Sequence, residues 1–184
     1  MKQISRMEEF DRGQYEDIEF LGSASTRAGE LLEAFGRGLL FDQFYQHEIE
    51  ELASFMHCFL APAGTILLRE GEIGDHLIVV LSGRVTVSKQ DLTGKTHPIA
   101  MIGPGGILGE ISLVDAEPRF ATCTAVEPTR FAVLTRTDLN EIMALHARLA
   151  NKVLFSLLTI LASRLRDSGQ RAIAPLQPLS KALV

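Results

Sequence analysis

The sequence predicts a mainly β fold with flanking helices, and three observations predict it. Between Cys58 and Leu134, short apolar or alternating runs are separated by glycine-bearing polar turns, the pattern of strands and tight connections. From Asp138 onward, apolar residues recur at three- and four-residue steps, the period of a helix. Two shorter segments before Cys58 carry the same helical period. The chain divides accordingly into a polar leader (1–24), N-terminal helices (25–57), a strand-rich domain (58–137), a C-terminal helix (138–168) and a tail (169–184).

The leader is acidic, with Glu8, Glu9, Asp11, Glu16, Asp17 and Glu19, and lacks the apolar centre of a signal peptide; it reads as frayed chain. Leu31, Leu32, Phe35 and Leu39 mark the first helix, interrupted by Gly36 and Gly38. Ile49, Leu52, Ala53 and Met56 mark a second, from Gln46 to Met56. Strands are expected at Thr65–Leu68, Leu77–Leu81, Arg84–Lys89, His97–Ile102, Phe120–Ala125 and Arg130–Leu134, with turns at Pro62–Gly64, Glu70–Asp75 and Ser82–Gly83. The glycines of these turns are assigned to turn geometry. The final helix is expected to begin at Asp138 with Thr137 as N-cap and to end near Ser168–Gly169. Its apolar positions, Ile142, Leu145, Leu149, Val153, Leu157, Leu161 and Leu165, are widened by Leu154, Leu158 and Ile160 into a face broader than one packing contact needs.

Composition narrows the function. The net charge of −5 argues against a general nucleic-acid binder, which carries a basic surface. Two cysteines far apart, Cys58 and Cys123, make no disulfide framework and read as reduced and buried, as in a cytoplasmic protein. The five histidines have no close metal-ligand spacing, and His76 in a Gly-Asp-His turn reads as a surface or structural residue. No Gly-x-Ser-x-Gly elbow and no phosphate-binding Walker loop occurs, so no enzyme is expected. No apolar stretch is long enough to span a bilayer.

The chemistry concentrates between Gly105 and Ala125. Gly105, Gly106 and Gly109 permit a tight turn, Glu110 to Val114 can form a short helix, and Pro118 stops it. Free N–H groups at that helix start face an anion, and Arg119, just beyond Pro118, can turn its guanidinium to the same anion. A helix start plus one arginine makes a pocket for a single phosphate.

Gly109-Glu110-Ile111-Ser112-Leu113, followed by Pro118-Arg119 and Ala121-Thr122, resembles the phosphate-binding cassette of the cyclic-nucleotide-binding domain family. That family includes the catabolite activator protein and the regulatory subunits of protein kinase A. Arg69-Glu70-Gly71-Glu72, Gly74-Asp75 and Leu81-Ser82-Gly83-Arg84 resemble turns of the same domain.

The resemblance implies a jelly-roll-like β-roll and a ligand site at Gly109, Glu110, Ile111, Ser112, Arg119, Phe120 and Ala121. Arg119 would pair with the cyclic phosphate and Glu110 would accept the ribose hydroxyl. It also implies that the start of the final helix closes the pocket over the base and that its later part pairs with a second subunit. Phe120 departs from the family, which places a small or hydroxyl residue after the arginine. Relatives selective for cGMP use a hydroxyl there, so Phe120 implies cAMP, with cGMP or no nucleotide as alternatives.

Gln170–Val184 is too short for a helix-turn-helix, so no DNA-binding domain is expected. The function expected is a cyclic-nucleotide sensor that signals through an unidentified protein partner as a homodimer. The alternative is a β-roll that serves as a structural or interaction module without nucleotide.

Overall fold

Strand β4 (His76–Ser82) shows how the residues build the core. Its run Leu77–Leu81 is buried throughout, because alternate side chains enter two different clusters. Leu77, Val79 and Leu81 point to helices, whereas Ile78 and Val80 point to a second sheet. The computed structural model describes residues 17–37 and 44–173.

In chain order, β1 (Glu19–Ser23) leads through a 3-10 turn into α1 (Ala28–Arg37), α2 (Gln46–Ser54), β2 (His57–Ala61), β3 (Ile66–Leu68) and β4. Then come β5 (Val85–Gln90), β6 (Thr96–Ile102), β7 (Ile107–Leu108) and α3 (Glu110–Asp115). The chain continues through β8 (Thr122–Ala125), β9 (Thr129–Thr135), α4 (Arg136–Leu145) and α5 (Ala147–Ile173). One sheet has the order β1-β2-β9-β4-β7 and the other β3-β8-β5-β6, and the paired strands are antiparallel. Phe59, Phe131, Val133, Leu67, Val85 and Ala125 fill the space between the sheets. The helices cover the outer face of the five-stranded sheet, with Leu31, Phe35, Leu52, Leu149, Val153 and Leu157 in one core. The architecture is the expected β-roll with flanking helices and a long C-terminal helix.

Four details differ from expectation. Glu19–Ser23 is not frayed leader: it pairs with β2 as an edge strand, and the Phe20 ring sits 5.4 Å from that of Phe59. The strand is five residues long with only Phe20 and Leu21 apolar, and it adjoins an acidic segment, which hid it in the sequence. The final helix is two helices. His146 leaves helical geometry (φ −133°, ψ 56°), and its ring pairs with Glu51 and meets the edge of Phe55, both contacts being with the α2 segment. The N-cap is Thr135, not Thr137; its hydroxyl accepts from the Asp138 amide at 3.1 Å, and Asp138 Oδ2 accepts from the Thr135 amide at 3.3 Å. Gly169 does not end α5. It lies within the helix, where a glycine costs about 1 kcal/mol relative to alanine and is tolerated. Residues 1–16, Gly38, Leu39 and residues 174–184, including Pro175 and Pro178, lie outside the described residues.

The second helix, α2, is held to α5 by Glu48, which is 4 % exposed and accepts from Lys152 Nζ at 2.5 Å. The same ammonium lies 4.8 Å from the centroid of the Tyr45 ring. Thr135→Ala removes the reciprocal cap of α4 and is expected to cost about 1 kcal/mol in urea denaturation. An unchanged midpoint would show that the cap does not stabilise the helix.

Candidate functional site

The site begins at the turn before α3. Gly109 has φ 78°, and a Cβ there would lie 2.7 Å from Arg119 Nη1, so both the turn and the approach of Arg119 require glycine. The first amides of α3 have no acceptor inside the helix, and Gly109 to Ser112 line the same cavity as Arg119. Arg119 is 4 % exposed. Its Nη1 donates to the His76 carbonyl at 2.8 Å and to the Gly109 carbonyl at 3.1 Å, and its Nη2 lies 3.2 Å from His76 Nδ1. Burial is the main cause that pushes the His76 ring below the ordinary histidine range, and Arg119 adds to the shift. Asp75 opposes it. The Arg119 contact is a hydrogen bond in the neutral tautomer that leaves Nδ1 unprotonated.

The backbone of Arg119 is also fixed. Its amide donates to Glu72 O at 2.7 Å and its carbonyl accepts from Gly71 at 2.9 Å. Gly74 supplies room rather than a turn: a Cβ on it would stand 2.1 Å from Arg119 Nε. The reading of these glycines as turn residues holds for Gly71 and Gly83, which have positive φ, but Gly74 is part of the arginine's seat.

Glu110 is fully buried. It forms an ion pair with Arg164 of α5, whose Nη2 donates to the Ile107 carbonyl at 2.5 Å. Glu110 Oε2 has no hydrogen-bond partner, a buried acceptor on a residue that lines the pocket described below. Burial pushes the Glu110 carboxyl above the usual carboxylate range, and Arg164 acts against that shift.

Gly109, Glu110, Arg119 and Arg164 line a cavity of about 490 Å³, within the range of small-ligand sites. All seven residues expected from the sequence, Gly109, Glu110, Ile111, Ser112, Arg119, Phe120 and Ala121, line it. Its lining also carries the apolar side chains of Val87, Ile99, Ile102 and Phe120. Phe120 is half-exposed at the rim and does not fill the space. Cys123 also lines the cavity, but burial pushes its thiol up to about 12, so it is not a nucleophile.

The helix that covers the cavity corrects an expectation. Leu161, Arg164, Leu165, Asp167 and Ser168 line it, so the later turns of α5 close the pocket. The earlier turns, with Leu149, Ala150, Val153 and Leu157, are packed in the core. Arg164, Gly74 and His76 were not legible as site residues. Arg164 reads as one more charge on a helix, and the other two as parts of a turn.

A model of the cyclic nucleotide-binding domain matches residues 60–146. The chain is 39 % identical to the crystal structure of a cyclic nucleotide-binding domain from Methylobacillus flagellatus, covering 95 % of each chain with a TM-score of 0.81. It is similar to the cyclic AMP receptor protein of Thermus thermophilus, 35 % identical over 129 residues, which are 70 % of this chain and 58 % of that protein. It therefore spans little more than half of that curated relative's length. The solved Thermus thermophilus catabolite activator protein aligns at 34 % identity with a TM-score of 0.66, over 72 % of this chain and 61 % of that one.

Removing Arg164 leaves Glu110 buried without its cation. A carboxyl whose pKa is raised on folding contributes stability that is fully present below the unfolded value and is lost as pH rises through the folded value. Arg164→Met raises that pKa further. Its thermal stability is therefore expected to fall below wild type at pH 7.5, by about 1–3 kcal/mol, and the deficit to shrink toward pH 4 to 5, where only the lost hydrogen bond to the Ile107 carbonyl remains. A deficit independent of pH would contradict the pairing.

Proposed function

The chain belongs to the cyclic nucleotide-binding domain family, and from that premise we propose that it is a non-catalytic sensor that binds cAMP and signals through a protein partner. The observation that carries this reading is the seat of Arg119: a buried guanidinium held at the open amides of α3, beside a buried Glu110 oxygen without a partner. A cyclic phosphate supplies the anion for the first, and a ribose hydroxyl supplies the donor for the second. The base then lies between Val87, Ile99, Phe120 and the last turns of α5.

Phe120 favours adenine. Without a hydroxyl at that position, the guanine amino group loses a partner on leaving water, at a cost of about 1–3 kcal/mol if it stays unpaired. One observation favours cGMP as a second reading: Asp167 stands at the mouth, and a carboxylate can accept from the amino edge of guanine. Among the described residues no helix is long and apolar enough to cross a membrane. The two buried free cysteines, with thiols pushed up to about 11 and 12, suit a reducing cytoplasm.

Phe155 and Leu158 are each more than half exposed on α5, and this apolar patch supports a homodimer formed between α5 helices. Light scattering of wild type at micromolar concentration is expected to give a dimer mass, and Leu158→Glu a monomer. A wild-type monomer with and without nucleotide would contradict it.

Labelled cAMP tests the ligand. Arg119→Ala is expected to weaken binding about ten-fold or more, since a charge-assisted contact contributes about 1.5–3 kcal/mol. Arg119→Lys is expected to restore only part of it, because lysine lacks the planar fork. Unlabelled cGMP should displace the label only at higher concentration than cAMP. Displacement at equal or lower concentration would select the guanine reading, and no binding of either would leave a β-roll that acts without nucleotide.

A further inference from the structure

Phe120 precedes β8 in a bend, and its ring is 53 % exposed at the rim of the cavity. An aromatic ring in that position would ordinarily sample several rotamers. Here one ammonium restrains it. Lys89 Nζ donates to the Phe120 carbonyl at 2.6 Å and to Glu70 Oε1 at 2.9 Å, and it stands 4.1 Å from the centroid of the Phe120 ring. Glu70 is itself held, since its second oxygen accepts from the Gln90 amide at 3.0 Å and its amide donates to Thr122 Oγ1 at 3.0 Å. Lys89 rises from β5, which lies inside the four-stranded sheet between β8 and β6. The rigid strand thus fixes the ammonium, and the ammonium fixes both the backbone and the ring of the residue that follows Arg119.

We propose that Lys89, anchored by Glu70, is a specificity-determining positioning residue that holds the Phe120 ring as the wall against which the ligand's base rests. The proposal rests on the reading of the cavity as a nucleotide site. It assigns to Lys89 an effect chiefly on the base, through the ring, because the Arg119 guanidinium is seated on His76 and Gly109 and makes no contact with Lys89.

Two measurements on the full chain test it. The first needs no nucleotide. A fluorine-labelled phenylalanine at position 120 is expected to give a resonance displaced from that of the free amino acid. Lys89→Met should return it toward the free position, and Lys89→Arg should keep it displaced. A resonance unmoved in Lys89→Met would overturn the clamp.

The second compares cAMP with ribose cyclic phosphate, which lacks the base. Lys89→Met is expected to weaken cAMP about five-fold and leave ribose cyclic phosphate unchanged. Adding Phe120→Ala to it should produce no further loss beyond that of Phe120→Ala alone. Equal weakening of both ligands, or additive losses in the double variant, would overturn the assignment. If wild type bound neither cAMP nor cGMP, the nucleotide reading would fail and the base-contact role with it. The fluorine signal would then still decide whether the clamp exists.

Discussion

The burial of one guanidinium organises this molecule. A charge taken out of water must be hydrogen-bonded where it lands, and Arg119 meets that demand with a seat drawn from both sheets. It approaches from the segment before β8 of the four-stranded sheet, and its main acceptors belong to His76, at the start of β4 in the five-stranded sheet, and to Gly109, at the start of α3. Two positions must lack a Cβ for this to happen, Gly74 and Gly109. The neutral state of His76 follows from the same packing, because burial and the neighbouring arginine both disfavour a second positive charge. The cassette is thus a set of mutually dependent choices: glycine where the arginine passes, a carbonyl where it donates, and open amides beside it.

The second constraint is the helix laid over the cavity. Glu110 is buried and paired with Arg164, so the state of the cassette and the position of α5 are physically joined. The opposite end of α5 is joined to α2 through Lys152 and Glu48, and the break before α5 is joined to α2 through His146 and Glu51. One rigid helix therefore touches the pocket near its later turns and the N-terminal helices near its start. A ligand that takes up the second oxygen of Glu110 acts on a carboxylate that already holds α5, and this connects the chemistry of the pocket to the packing of the helical layer.

Much of this was legible in the sequence. The β-roll could be read because β4, β9 and β2 alternate between two cores, which writes apolar runs between glycine turns. The cavity that gathers Gly109, Glu110 and Arg119 could be read because these residues carry a local pattern whose spacing is set by one short helix and one turn. Three features could not be read. Strand β1 is a short edge strand that adjoins an acidic segment and looks like leader. The break at His146 coincides with a pairing to Glu51, distant in sequence, while the apolar period runs through it undisturbed. Arg164, Gly74 and Lys89 gain their roles from what the fold brings beside them: a buried carboxylate, a passing guanidinium and an exposed ring. Local pattern carries no record of such neighbours.

The most direct test of the central claim is a crystal structure of the full chain grown with cAMP. The account predicts the cyclic phosphate within hydrogen-bond distance of the Arg119 guanidinium and the open amides of α3, with the ribose hydroxyl on Glu110 Oε2. Nucleotide bound elsewhere on the molecule, or a cavity without nucleotide at saturating concentration, would contradict it.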